Sequence, residues 1–127
     1  MAKLLSLWLN GLPPSVNHIY RSGRHQVYKT SEAKVWQEYA AWQFAKNRNK
    51  KHSQSREKIA VKIIFRSPNR AGHWDIDNRL KSLLDCLVKG GVIYDDSQID
   101  KLNMEREVNK DFSFSTYIEV SEYAPAG

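Results

Sequence analysis

Residues 59–91 constrain the fold more tightly than any other stretch of this chain. Ile59–Phe65 is apolar and β-branched, which is the composition of a strand. Leu80, Leu83, Leu84, Leu87 and Val88 then recur at i, i+3, i+4, i+7 and i+8, setting one apolar stripe along a helix. Gly90-Gly91 stops that helix. Upstream, Lys3–Leu9 reads as a first strand ended by Asn10 and Gly11, and Leu12–Asn17 as a loop, since neither Pro13 nor Pro14 donates a backbone hydrogen bond. His25–Tyr28 is either a short strand or an irregular arm. Thr30 or Ser31 caps a helix running from about Glu32 to about Asn47. Its wide apolar face comprises Val35, Trp36, Tyr39, Ala40, Trp42, Phe44 and Ala45.

Asn47–Lys58 is a polar, basic loop, Ser67–Trp74 a second loop, and Asp75–Lys89 the second helix with its cap. Val92–Tyr94 reads as extended and Asp95–Gln98 as a turn. Ile99–Val108 and Phe114–Val120 read as two antiparallel strands joined near Lys110–Asp111. The order β-α-β-α-β-β predicts a single α+β domain over residues 1–127, with a mixed sheet of about four strands and two main helices.

A chain of 127 residues is one domain and buries enough surface to fold without disulfides. The single cysteine, Cys86, excludes an internal disulfide and a cysteine-based zinc or iron–sulfur site, and is expected to be a small buried filler. That usage, the short broken apolar run at the N-terminus and the lack of a membrane-spanning stretch predict a soluble, cytoplasmic protein. Neither a phosphate-cradling Gly-rich loop nor a dinucleotide fingerprint is present, so no small-molecule cofactor is expected.

Charge divides the chain in two. Residues 1–74 hold 14 Lys+Arg against 3 Glu, a balance of +11, and residues 75–127 hold 6 against 11 acidic residues, a balance of −5, which together give the net +6. Every aspartate lies between Asp75 and Asp111. A basic half attracts polyanions through counterion release. An acidic cluster beside it repels them unless a cation intervenes, so the division points either to a polyanion held at a divalent-metal site or to two unrelated surfaces.

The acidic residues have a pattern. Asp75-Ile76-Asp77-Asn78 opens the second helix and Asp95-Asp96 follows its end. If the extended Val92–Tyr94 carries Asp96 back toward Asp77, three carboxylates converge, a set of oxygen donors suited to Mg²⁺ or Mn²⁺. Asp-x-Asp also serves as a helix cap, and that reading stays open. Lys81, four residues after Asp77, either steadies charge on a phosphoryl group or forms an i,i+4 pair with Asp77 or Asp85. An EF-hand beginning at Asp75 is excluded, because Leu80 and Cys86 stand where it requires Gly and Glu. The four histidines lack a zinc-binding spacing.

Asp75-Ile76-Asp77-Asn78-x-x-Lys81-x-x-x-Asp85-x-Leu87, then Gly91, then Asp95-Asp96-x-Gln98-Ile99, resembles the signature of RusA-type Holliday junction resolvases. Pro13-Pro14-Ser15-x-Asn17-x-x-Tyr20-Arg21 resembles the opening segment of that family. The resemblance implies a RusA-like fold and a homodimeric, Mg²⁺-dependent endonuclease, with Mn²⁺ a possible substitute, that cuts four-way junction DNA in recombination and repair, leaving 5′-phosphate and 3′-hydroxyl ends. Members are often phage- or prophage-borne. It implies that Asp75, Asp77 and Asp96 are catalytic and hold the metal, that Lys81 is needed for cleavage, and that Asn78 and Asp95 support them. Asn17, Arg21, Arg24, Lys29, Arg48, Lys50, Lys51 and Arg70 are the candidate DNA contacts. Trp74 stands where some members have a basic residue, and is a candidate to stack on a base or sugar. Two alternatives remain: a non-catalytic basic nucleic-acid-binding module, and a metal-dependent nuclease for other branched DNA.

Overall fold

The computed structural model describes residues 2–14, 20–23, 26–29, 31–51, 54–68, 79–109 and 113–124, with backbone alone for 20–23, 26–29 and 109. Among the described residues six strands and two helices follow in order: β1 (Lys3–Asn10), β2 (Tyr20–Gly23), β3 (Gln26–Lys29), α1 (Ser31–Asn47), β4 (Ile59–Pro68), α2 (Leu80–Lys89), β5 (Ile99–Asn109) and β6 (Ser115–Glu122). β1, β6, β4 and β5 form one mixed sheet in that order. β2 and β3 pair as a separate antiparallel hairpin, so of the 25–28 stretch residues 26–28 are strand, and His25 lies outside the described residues. The α+β class with four main strands and two helices is as expected.

Alternation builds the core. Leu5, Val120 and Val61 stand side by side across three strands, as do Leu7, Ile118 and Ile63, then Leu9, Thr116 and Phe65. One sheet face is therefore a continuous apolar surface under the helices, with Phe65, Ile63 and Ile118 fully buried. The buried Thr116 hydroxyl donates to the Gly11 carbonyl at 2.8 Å, so it brings no unsatisfied group inside. The other face carries Trp8 on Tyr117, ring centroids 5.1 Å apart, and Arg66 over Trp8.

The expected pairing of the last two strands is not formed. β5 runs parallel to β4 and β6 antiparallel to it, on opposite sides. Burial decides the order. β6 alternates buried residues at Thr116, Ile118 and Val120 and takes the central slot, whereas β5 exposes Asp100, Lys101, Glu105 and Arg106 and suits an edge.

A second correction concerns α1. It does bury Ala40 and Phe44, but also Ala33, Gln37 and Ala41, and it leaves Val35 and Trp42 about two-thirds exposed, at 67% and 66%. The small residues allow close packing on α2, where the Gln37 side-chain amide donates to the Ser82 hydroxyl at 3.0 Å. Cys86 is buried there, as expected, with its thiol 3.6 Å from the Gln37 carbonyl.

α2 ends in a Schellman motif. The Val92 amide donates to the Leu87 carbonyl and the Gly91 amide to the Val88 carbonyl, with Gly91 at φ 77°. Val92 is thereby part of the helix stop, and Ile93 makes a lone parallel bridge to Ser55, so residues 92–94 do not form the expected extended stretch. Gly90 lies where the helices touch: a Cβ there would sit 2.8 Å from both the Ala41 carbonyl oxygen and the Phe44 Cβ. Gly90→Ala is expected to destabilise the protein by about 1–3 kcal/mol through overpacking, and Gly91→Ala by about 1 kcal/mol through its positive φ. Urea unfolding of both variants checks the sizes and their order.

Candidate active site

Three described groups of residues carry the acidic and basic motifs. The first is the start of α2. Arg79 occupies its N-cap position and donates from Nη1 to the Pro13 carbonyl at 2.6 Å. That bond joins the two separate motif segments, the Pro13-Pro14 loop and the helix that follows Asp75-x-Asp77-Asn78. Burial pushes the Arg79 guanidinium below its ordinary value, which still leaves it charged at neutral pH. Sequence reasoning passed over Arg79, although it sits inside the quoted spacing beside Asn78. Its type, next to a loop rich in carbonyls without donors, was the available signal.

Lys81 lies one residue into α2. Its ammonium is 3.9 Å from the Asp85 carboxylate, and both side chains are more than half exposed. The i,i+4 pair is therefore formed, but it is loose and solvated, a kind of contact worth at most a few tenths of a kcal/mol. It leaves the ammonium accessible from solvent.

The second group is the turn after α2. Asp96–Gln98 is a single 3₁₀ turn packed beside α2, with Asp95 as its N-cap. The Asp95 carboxylate accepts from the Ser97 amide at 2.9 Å, and the Gln98 Oε1 accepts from the Asp95 amide at 2.9 Å and the Tyr94 amide at 2.7 Å. This is a reciprocal capping box. The Gln98 Nε2 also donates to the Ser55 and Glu57 carbonyls, each at 2.8 Å. One side chain thus ties the turn to the strand-entry segment before β4. The Ser97 hydrogen bonds hold the Asp95 carboxyl below its ordinary value. A carboxyl lowered in the folded state stabilises the turn above the ordinary aspartate range, near ~3.9, and loses that contribution as pH falls through the lowered value.

Asp96 differs from its neighbour. It is exposed, and its carboxylate makes no hydrogen bond or ion pair among the described residues. Within this acidic pair, one carboxylate caps the turn and the other is exposed without a hydrogen bond or ion pair among the described residues. The motif spacing contains Gln98 without indicating a role for it. Its function as the four-bond centre of the turn depends on contacts with residues more than 40 positions earlier, which spacing alone does not reveal.

The third group is basic. Arg48 follows the end of α1 and reaches toward Gly91, its Nε 4.0 Å from where a Cβ on that glycine would lie. Lys50 donates to the Ala45 carbonyl at 2.8 Å, satisfying a helix-end acceptor, and the Lys51 amide bonds Asn49. Arg56 stacks 4.0 Å over the Tyr94 ring, beside Asp95. The described part of the basic loop is therefore pinned: the Asn49 amide bonds the Leu4 carbonyl and the Ser55 amide bonds Val92. These contacts bring Arg48, Arg56 and the Asp95-Asp96 turn to one end of the domain.

Arg21 and Lys29 lie on the β2–β3 hairpin, paired with Tyr28 and Tyr20 respectively, and their side chains are outside the description. Asn17, Arg24, Arg70, Trp74, Asp75, Asp77 and Asn78 fall outside the described residues. Among the described residues no three His, Cys, Asp or Glu side chains gather as a metal-holding set. Gln98→Ala is expected to lower stability by about 2 kcal/mol, since each hydrogen bond is worth about 0.5–1.5 kcal/mol net. It should also strip the Tyr94 and Asp95 amides of hydrogen-exchange protection while the β4 amides keep theirs.

Comparison with known proteins gives the family. Residues 11–121 match the family model described as Endodeoxyribonuclease RusA. The chain is also similar to a protein of Aquifex aeolicus (strain VF5) named Crossover junction endodeoxyribonuclease RusA, with 33% identity over 107 residues, covering 84% of this chain and 82% of that protein. The matched span runs from the turn after β1 to the last strand, and so takes in the Arg79–Pro13 bond, α2 and the Asp95–Gln98 turn: the chain belongs to the RusA endodeoxyribonuclease family.

Proposed function

We propose that this protein is a structure-selective endonuclease that resolves four-way junction DNA by paired symmetric nicks, acting in recombination and repair. The observation that carries this reading is the carboxylate of Asp96, exposed and unengaged among the described residues, on a turn whose other carboxylate is occupied in capping. Family membership and the name of the Aquifex relative support the substrate class.

In this reading Asp75, Asp77 and Asp96 hold Mg²⁺, for which Mn²⁺ would substitute. The donor chemistry fits, because carboxylate oxygens suit a hard divalent cation and Asp96 is exposed with no hydrogen bond or ion pair among the described residues. Such a cation, when bound, supplies charge neutralisation at the phosphodiester and an activated water. The protein's own part is positional. Gln98 and Asp95 keep Asp96 at a fixed place, Arg79 ties the start of α2 to the Pro13 loop, and Lys81 presents an ammonium to the phosphoryl oxygens from the first turn of the helix. Asn78 supports the carboxylates. Asn17, Arg21, Arg24, Lys29, Arg48, Lys50, Lys51 and Arg70 hold phosphates, and Trp74 stacks on a base or sugar. Nicking at two symmetric points calls for two sites related by a two-fold axis, which a homodimer supplies. No helix among the described residues is long and apolar enough to cross a membrane.

A labelled four-way junction tests the proposal. Wild type with Mg²⁺ is expected to give paired symmetric nicks that EDTA abolishes. Asp96→Asn and Lys81→Ala should each cut at least about 100-fold more slowly, the size expected on removing one charge-stabilising group, while still binding the junction. Flap, duplex and RNA substrates should be cut poorly. Junction binding without nicking, equal in wild type and Asp96→Asn, would reduce the protein to a binding module. Equal cutting of flaps and junctions would remove the structure selectivity.

A further inference from the structure

α1 is apolar on two opposite sides, and the described chain covers one of them. Ala33, Gln37, Ala40, Ala41 and Phe44 face the core. Val35, Tyr39 and Trp42 follow a 4-3 spacing that Glu32 and Lys46 extend at either end into 3-4-3-4. At about 100° per residue, these five fall within an arc of roughly 80°, roughly opposite the buried side. Val35 and Trp42 are 67% and 66% exposed, more than any other large apolar side chain among the described residues. A helix with two apolar sides packs on both, and the 3-4 spacing is that of a helix–helix seam.

The seam has a projection and a recess. Trp42 stands out on the C-terminal side of Tyr39. On the N-terminal side lies an apolar groove of about 600 Å³ lined by Asn10, Ser31, Glu32, Val35, Trp36 and Tyr39. Its wall is fixed, since the Trp36 indole donates to the Asn10 carbonyl at 3.2 Å and the Tyr39 hydroxyl accepts from the Asn10 amide at 2.9 Å. An antiparallel second α1, related by a two-fold axis at Tyr39, places residue 42 of one helix level with residue 36 of the other, because 42 and 36 are equidistant from 39. Each Trp42 then enters the groove of the other copy. The same axis sets Glu32 level with Lys46, also equidistant from 39, at both ends of the seam. Neither residue has an ion pair among the described residues.

We propose that this face of α1 is the self-association surface, occupied by a second copy of the chain through an antiparallel α1–α1 contact. The assignment rests on the homodimer reading above and adds to it the surface, the orientation and the anchor residue. Trp in a pocket, ringed by polar residues, is the usual form of an interface hot spot, and the self-complementary charges fix the direction.

Sedimentation velocity on the full-length protein over a concentration series tests it. Wild type is expected to be dimeric. Trp42→Lys should raise the dimer Kd at least about 30-fold, as for a hot-spot residue, with an unchanged melting temperature because the side chain is exposed. Glu32→Lys and Lys46→Glu should each weaken the dimer several-fold, and the double swap should restore it. Only facing charges produce that restoration. A monomeric wild type would overturn the homodimer reading and this surface together. A dimeric wild type with an unchanged Trp42→Lys dimer would overturn the surface alone. Weaker junction binding by Trp42→Lys with unaltered association would assign the face to DNA and overturn the proposal.

Discussion

The approach of α1 to α2 at Gly90 is the contact on which the rest of the site end depends. Without a Cβ at that position, the helices close until the Ala41 carbonyl and Phe44 meet the α2 backbone. α2 can then stop there, and Gly91 turns the chain through a positive φ. Val92 closes the helix, Ile93 bridges to Ser55, and the next residues become the capped turn that presents Asp96. A core packing constraint therefore reaches an exposed carboxylate in six residues.

That turn also shows how a small domain can hold an acidic side chain rigidly at its surface. Exposed loops ordinarily have few contacts to resist motion. Here Gln98 makes two bonds within the turn and two to the segment entering β4, while Asp95 satisfies the Ser97 amide. Asp96 needs no bond of its own to be positioned. No described residue occupies its oxygens, and the energetic cost of ordering the turn falls on neighbours whose hydrogen bonds offset it.

Much of this was legible in the sequence, for local reasons. The spacing of Leu80, Leu83, Leu84 and Leu87 specified α2, Gly90-Gly91 its end, and the β-branched run β4, because helix and strand periods are set by the backbone. The strand order was not legible. Consecutive strands with a short connection ordinarily pair, and only the competition for the central slot, won by the more apolar β6, separates β5 from it. α1 was misread for a related reason: Val35 and Trp42 are as apolar as core residues, and composition does not state which of two apolar sides meets this chain's own sheet. In the candidate site, Asp95 and Asp96 look identical in sequence. Their different engagement appears only once Ser97 and Gln98 are placed in space.

The distribution of charge gains a physical sense from these placements. A carboxylate set that is to hold a cation beside a nucleic acid, as proposed above, must be close to positive charge without being neutralised by it. Among the described residues near the turn, the cations are already directed elsewhere. Arg56 lies over the Tyr94 ring and Lys58 pairs with Asp100 at 3.3 Å. Neither cation pairs with Asp96, which is exposed and without an ion pair among the described residues. An ion pair at that carboxylate would occupy the oxygens a cation needs, whereas nearby cations bound to other partners still attract a phosphate backbone over the Debye length, about 10 Å at 0.1 M salt. Among the described residues at this end of the domain, Arg56 and Lys58 thus leave the Asp96 carboxylate unneutralised, because each is engaged with a different partner.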